Sequence, residues 1–218
     1  DTLWNYEVGV RTSWLDNRLT ANAVAYYIDW SDMQLRSFDP VAFGQKIQNV
    51  GEAEIFGLET EIDFQATDSL RLSLNYGYTD ASLAEDYTDG MTPATVLAAD
   101  GTRLPGSSKH SFSLLADWQM PLTASLDLQG NASYVYTSSR TPALVSGDPT
   151  FGGFPDVPSA EVVNLSVGVR HDNGVTVSLF ANNLLDARNL QTQLTSGGLQ
   201  FDTMNRPRTI GLKVGYQF

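Results

Sequence analysis

The sequence has no cysteine among its 218 residues, which excludes a disulfide framework, a Cys-based metal site and a thiol nucleophile. Charge is scarce as well. Only 17% of residues are Asp, Glu, Lys or Arg, against about 25% in an average soluble domain, which implies surface that does not face water. What charge there is leans acidic, 25 Asp and Glu against 13 Lys and Arg, for a net −12. Nucleic acid is therefore not an expected partner, because phosphate binding needs a clustered basic face. No run of about 18 apolar residues occurs, so no transmembrane helix is predicted, and no charged-then-apolar leader opens the chain. GxSxG, HExxH and P-loop motifs are missing, so neither an enzyme nor a cofactor is expected. His110 and His171 lie apart, at a strand start and in a tight turn, and assemble no metal cluster. EDYTDG (85–90) lacks the spacing of a calcium loop and reads as a solvated acidic loop.

What fills the chain instead is alternation. In TIGLKVGYQF (209–218), Ile210, Leu212, Val214 and Tyr216 take every second position, opposite Gly211, Lys213, Gly215 and Gln217. A period of two marks a strand with different solvents on its two faces. Nine segments follow this pattern: about 3–14, 19–36, 47–65, 70–79, 109–119, 125–138, 160–170, 175–184 and 206–218. LRLSLNYGYT (70–79) is the clearest, with Leu70, Leu72, Leu74, Tyr76 and Tyr78 on one face. Segment 19–36 is ambiguous, because Ala23 to Ile28 is apolar on both faces. No helical period of comparable length appears. The fold class is all-β, with nine antiparallel strands.

The connections between these strands take turns. LDNR (15–18), ATDS (66–69), MPLTA (120–124) and HDNG (171–174) are short and rich in turn residues. Between them lie the long connections 37–46, 80–108, 139–159 and 185–205. An outer-membrane barrel has this asymmetry, with short periplasmic turns and long extracellular loops, and strands of about 9–11 residues suffice to cross. Trp4, Trp14, Trp30, Tyr76, Tyr78, Trp118, Tyr134 and Tyr136 gather near strand ends, as interfacial girdles require. A soluble β-sandwich also alternates, but its polar face would be rich in Lys and Glu. Here that face is mostly Ser, Asn, Gln, Thr and Gly, the lining of a wet interior. NAS (131–133) and NLS (164–166) match a glycosylation pattern but fall inside these strands and are set aside.

Three stretches carry a sharper likeness: NVGEAEIFGLETEIDFQATDSLRLSLNYGYTDA (49–81), LFANNLLDARN (179–189) and NRPRTIGLKVGYQF (205–218). The first holds Asn-x-Gly and Gly-x-Glu before a long strand and its return. The second ends in Asn-Leu-x-Asp, and the third is entered by a Pro-Arg pair. Together they resemble the C-terminal part of a TonB-dependent outer-membrane receptor. The resemblance implies that residues 1–218 are the C-terminal portion of a transmembrane barrel of about 22 strands. The plug domain, the segment that contacts TonB and roughly 13 upstream strands would lie outside the sequence. Nine strands ending in the periplasm would begin outside the cell, and open edges cannot stand in hydrocarbon, so the chain is not expected to form a complete barrel alone.

The resemblance further implies a multi-pass outer-membrane receptor for active, TonB-driven import of a scarce nutrient, an iron–siderophore complex above all. A passive porin-like channel and a soluble β-sandwich binding module are the alternatives. Implied partners are outer-membrane lipid, the rest of the same receptor, TonB through the N-terminal part, and the barrel-assembly machinery. Such receptors bind substrate on the extracellular side, so the candidate ligand residues are loop aromatics and polar groups: Phe38, Phe43, Tyr87, Arg103, Arg140, Phe151, Phe154 and Gln191. GDPTFGGFP (147–155) sets two aromatics beside glycines. Tyr216 and Phe218 resemble the C-terminal signal read during outer-membrane assembly. As a rim residue, Phe218 would contribute at most about 1.5–3 kcal/mol of burial. Replacing it with Lys in the full-length protein is predicted to cut the amount of heat-resistant folded receptor in outer-membrane fractions. Wild-type levels would reduce Phe218 to a rim residue.

Overall fold

Strict alternation over a dozen residues favours extended backbone whose two sides are solvated differently, and the chain folds accordingly. The computed structural model describes every residue except 40–43, 50, 89–92, 143, 145–155, 197–198 and 218. Among the described residues there is no helix. The main sheet contains β1 (Thr2–Trp14), β2 (Leu19–Ser31), β5 (Ala53–Thr67), β6 (Leu70–Leu83), β9 (His110–Pro121), β10 (Leu126–Thr137), β11 (Ala160–His171), β12 (Val175–Asn182) and β15 (Thr209–Tyr216). They lie side by side in chain order and every neighbouring pair is antiparallel. β1 and β15 are the two edges and do not pair with each other. Three small hairpins stand apart from this sheet in the long connections: β3 (Gln34–Asp39) with β4 (Gly44–Asn49), β7 (Tyr87–Thr88) with β8 (Val96–Ala98), and β13 (Leu190–Ser196) with β14 (Leu199–Met204).

Two expected strands give up one end to a separate hairpin. Segment 19–36 leaves the main sheet at Ser31, and segment 47–65 joins it only at Ala53. Asp32 takes a left-handed φ of 55°, which turns the chain out of the sheet plane, and 34–39 then pairs with 44–49 instead. The last strand starts at Thr209 rather than 206.

Register carries one face continuously across all nine strands. Trp14, Leu19, Phe64, Leu72, Ala116, Ala132, Leu165, Ala181 and Ile210 follow one another through successive pairings. The other face carries Asn22, Glu61, Asn75 and Ser113 in one row, and Asp127 opposite Arg170 in another. This polar face is hollow. One depression on it is walled by Gln65, Arg71, Gln119, Gln129, Ser166 and Ser178, which come from six neighbouring strands. The apolar face is therefore the convex one, and it is left open, with Val8, Ile210 and Leu212 at 72%, 67% and 62% exposure. A sandwich would bury one face of every strand against a second sheet. Here the buried apolar residues among those described are Met33, Ala53, Ala81, Leu83, Tyr87, Ala98, Leu104 and Val157, all at the long-connection end.

Ion pairs line the hollow face. Arg71 reaches Asp63 at 2.9 Å and Arg170 reaches Asp127 at 2.8 Å. Residue parity also resolves the ambiguous 23–28 run. Ala23, Ala25 and Tyr27 face outward, opposite Thr60, Leu58 and Phe56, while Val24, Tyr26 and Ile28 face the hollow. Trp30 shares the parity of Tyr26, so it is not part of an outward girdle; it packs inside, against the buried cluster.

Cross-strand glycines make room for aromatic rings. Tyr26 lies over Gly57, Trp118 over Gly130 and Phe180 over Gly211, each ring occupying the place of the missing side chain. The Tyr26 hydroxyl then meets Thr79 Oγ1 at 3.3 Å. A Gly57→Val change puts atoms where the Tyr26 ring sits. It is expected to destabilise the folded protein by about 1–3 kcal/mol, more than Gly57→Val combined with Tyr26→Ala. The heat-stability of the folded band on semi-native gels measures this.

Candidate functional site

At the long-connection end the chain folds back over the hollow face. Met33 N–H donates to Gly51 O at 2.8 Å, which anchors the exit from β2 to the entry into β5. β9 pairs with β6 only as far as Tyr78–His110. Beyond that point the segment 101–104 takes its place, through Leu83 N–H to Thr102 O at 2.8 Å and Leu104 N–H to Ala81 O at 2.9 Å. This strand-like return places Leu104 in one buried cluster with Met33, Ala53, Ala81, Leu83, Tyr87 and Ala98. Trp30, Ile55 and Leu144 pack at its margin. The result is an apolar plate at the mouth of the hollow, built from a loop that contains EDYTDG. In that acidic stretch Asp86 Oδ1 accepts the Asp100 N–H at 2.8 Å, so the carboxylate shapes the loop. Among the described residues no three metal-ligating side chains converge.

A second assembly, built of amides, lies at the same end of the sheet, beside β11, β12 and β15. Asn183 is 4% exposed and adopts φ 52°, a left-handed conformation that Asn tolerates better than most residues. Its Nδ2 donates to Ala187 O and to Arg206 O, both at 3.0 Å, while its Oδ1 accepts the Ala187 N–H at 2.9 Å. Its own N–H donates to Asn164 Oδ1 at 3.0 Å. Asn189 Nδ2 donates to Glu161 O at 2.7 Å, and the Asn189 N–H to Asn205 Oδ1 at 2.9 Å. Asp186 Oδ1 accepts the Arg208 N–H at 2.9 Å. That bond, followed by the nearby Arg188 and Arg208 charges, holds the Asp186 carboxyl below its usual range. These contacts join the ends of β11 and β12 to the entry of β15 and set the base of the β13–β14 hairpin.

The predicted ligand residues divide among these parts. Tyr87 sits in the apolar plate at 7% exposure. Arg103 lies opposite Ser82, with Nε and Nη2 enclosed and without hydrogen-bond partners; Ser107 Oγ is enclosed in the same way. Arg140 lies opposite Val157 and donates from Nη2 to Gln191 O at 2.8 Å, so two candidates from different loops meet. Phe38 belongs to β3, opposite Gln45. Phe43, Phe151 and Phe154 lie outside the described residues, as does Phe218. Tyr216 ends β15 opposite Val175, 65% exposed on the convex face.

Met33, Leu104, Asn183 and Asn189 were not singled out by sequence. Asn183 and Asn189 stood inside a motif recognised by its letters, and their long-range bonds could not be read from it. Replacing Asn183 with Ala removes three side-chain bonds and leaves a left-handed residue without its stabilising amide, an expected local loss of about 2–4 kcal/mol. Hydrogen exchange of the protein should show faster exchange confined to 183–208, with the remaining strands unchanged.

Comparison with known proteins agrees with this architecture. The TonB dependent receptor-like, beta-barrel family model matches residues 2–184. The metal-pseudopaline receptor of Pseudomonas aeruginosa (strain UCBPP-PA14) is 28% identical over 84% of this chain and 23% of its own length. The siderophore receptor PiuA of Acinetobacter baumannii superposes with a TM-score of 0.72 at 22% identity, over 98% of this chain and 28% of that one. The ferric yersiniabactin uptake receptor FyuA of Yersinia pestis gives 0.74 at 16% identity, over 97% and 29%. The chain thus spans about a quarter of the length of these proteins. It belongs to the TonB-dependent receptor β-barrel family.

Proposed function

We propose that this chain supplies nine neighbouring strands of an outer-membrane receptor that imports a metal chelate, an iron–siderophore complex, in a TonB-dependent step. The observation that carries the reading is the single sheet whose faces differ throughout, apolar and open on the convex side, polar and hollow on the other. On β1, Trp4 and Trp14 bound the apolar band. Ten residues at about 3.3 Å each, tilted by about 45°, give a band roughly 23 Å tall, close to the apolar belt of an outer-membrane barrel. Lipid is the solvent that suits such a face. The long-connection end is then extracellular, and the apolar plate, the amide assembly and the Arg140–Gln191 contact form part of the wall that a substrate meets first.

Transport in this reading involves no covalent step. Loops bind the chelate, and a part of the receptor outside this chain gates the lumen and couples to TonB. The related receptors named for metal-pseudopaline, siderophore and ferric yersiniabactin support a metal chelate as cargo.

The test uses the full-length gene. Its deletion should abolish uptake of a radiolabelled iron–siderophore complex drawn from a panel, and complementation should restore it only in cells with functional TonB. Uptake that persists without TonB would make the protein a passive channel. Uptake of no iron chelate, with a metal bound by another carrier still imported, would move the substrate assignment.

A further inference from the structure

The convex face changes character just above β15. Ile210, Leu212, Val214 and Tyr216 form its outward row, and Arg208 and Arg206 continue the same two-residue spacing beyond the strand. Arg188 joins them through Asp186: its Nη2 lies 3.5 Å from Asp186 Oδ2, and Asp186 Oδ1 accepts the Arg208 N–H at 2.9 Å. The Arg208 guanidinium leans back to Leu184 O, Nη1 to O at 3.4 Å. Beside this cluster Leu185 is 59% exposed. Among the described residues Asp186 is the carboxylate shown in contact with these arginines, through the Arg188 guanidinium and the Arg208 N–H. The Arg188 side chain is 58% exposed, and Arg206 is exposed too, its backbone oxygen accepting from Asn183. In a chain with net charge −12, a local positive excess of this kind stands out.

The rest of the long-connection rim is different. There the outward-facing tyrosines meet carboxylates, Tyr78 donating to Asp80 at 3.1 Å and Tyr134 to Glu161 at 3.1 Å, and Lys109 is neutralised by Asp80 at 2.8 Å. Around β15, by contrast, exposed Arg206 and Arg208 lie just before an apolar row, and among the described residues only Arg188 is ion-paired, with Asp186. A ligand that satisfies both would insert acyl chains against Leu179 and Ile210 while presenting phosphate to the arginines. Arg forks bind phosphate oxygens through paired, charge-assisted bonds, and basic side chains beside a hydrophobic belt attract anionic headgroups.

We propose that Arg188, Arg206 and Arg208 form a docking surface for the phosphate-bearing headgroup of an outer-leaflet membrane lipid. This rests on the reading of the chain as part of an outer-membrane barrel. The amide assembly beneath the cluster fixes its position, because Asn183 binds the carbonyl of Arg206 and Asp186 the amide of Arg208. The site would anchor the β12–β15 region to the leaflet without taking part in substrate binding.

The experiment uses full-length receptor in detergent, incubated with lipid A as the phosphorylated probe and a diglucosyl diacylglycerol as the phosphate-free one, with bound lipid counted by native mass spectrometry. The Arg188→Gln/Arg206→Gln double variant leaves the Arg208 contacts in place. It should retain less lipid A than wild type, on the order of tenfold, while Lys213→Gln on the hollow face retains the wild-type amount. The phosphate-free lipid should bind wild type and double variant alike, and excess inorganic phosphate should displace lipid A only weakly. Equal lipid A retention by double variant and wild type would overturn the proposal. So would full displacement by inorganic phosphate, which would make the cluster a site for free anions. A heat-resistant folded band and chelate uptake are read in parallel. If both are normal while lipid retention is unchanged, only the lipid site fails; if neither is found in wild type, the receptor reading fails first.

Discussion

A strand backbone carries a donor and an acceptor at every residue, and a strand with an apolar flank cannot leave them to water on that side. Pairing with a neighbour in register is the constraint on which the rest of this structure depends. It is met by nine strands in chain order with no crossover, short hairpins alternating with long connections. It also explains why register is so well kept: a slip of one residue would bring Lys213 to the convex face and Leu212 to the hollow one. In the proposed membrane setting the penalty for an unpaired group rises further, because hydrocarbon offers no substitute partner.

Within that constraint the two ends of the sheet are built differently. At the short-turn end the chain reverses in a few residues, and local devices suffice. Leu15, Asp16 and Asn17 all adopt left-handed φ, and Arg18 reaches across to Gln65 O and Ala66 O at 2.9 and 2.7 Å. At the long-connection end each excursion must be fixed by contacts far apart in sequence. The return segment 101–104 takes over the edge of β6 that β9 has left, and its reward is an apolar plate. The 183–208 excursion is held by amides, which bond in fixed directions and so define the base of a hairpin more sharply than packing would.

Both devices shape the mouth of the hollow. An apolar plate beside β2, β5 and β6 and a polar framework beside β11, β12 and β15 present different chemistry to anything entering between them. Arg140 bridges two loops through Gln191 O, so the loops of the second region are coupled rather than independent. This division of surfaces, rather than any reactive group, is the property that suits the wall of a receptor.

The sequence by itself determined the class of fold, the number of main-sheet strands, the alternation of short and long connections and the faces of the clearly alternating strands. Period two is a local property, and one residue is enough to assign the next. LRLSLNYGYT and TIGLKVGYQF could be read without any partner, and their outward rows are where the period puts them. Where both faces are apolar, as in Ala23 to Ile28, the period was silent. Only the pairing with β5 showed that Tyr26 covers Gly57 and Trp30 turns inward. The loops were legible least. That Asp32 would divert the chain into a separate hairpin, that Tyr87 would be buried, and that Asn183 and Asn189 would tie β11 and β12 to β15 depend on groups brought together from tens of residues away. Contacts of that kind exist only after the sheet has formed, because the sheet sets the distances across which they reach.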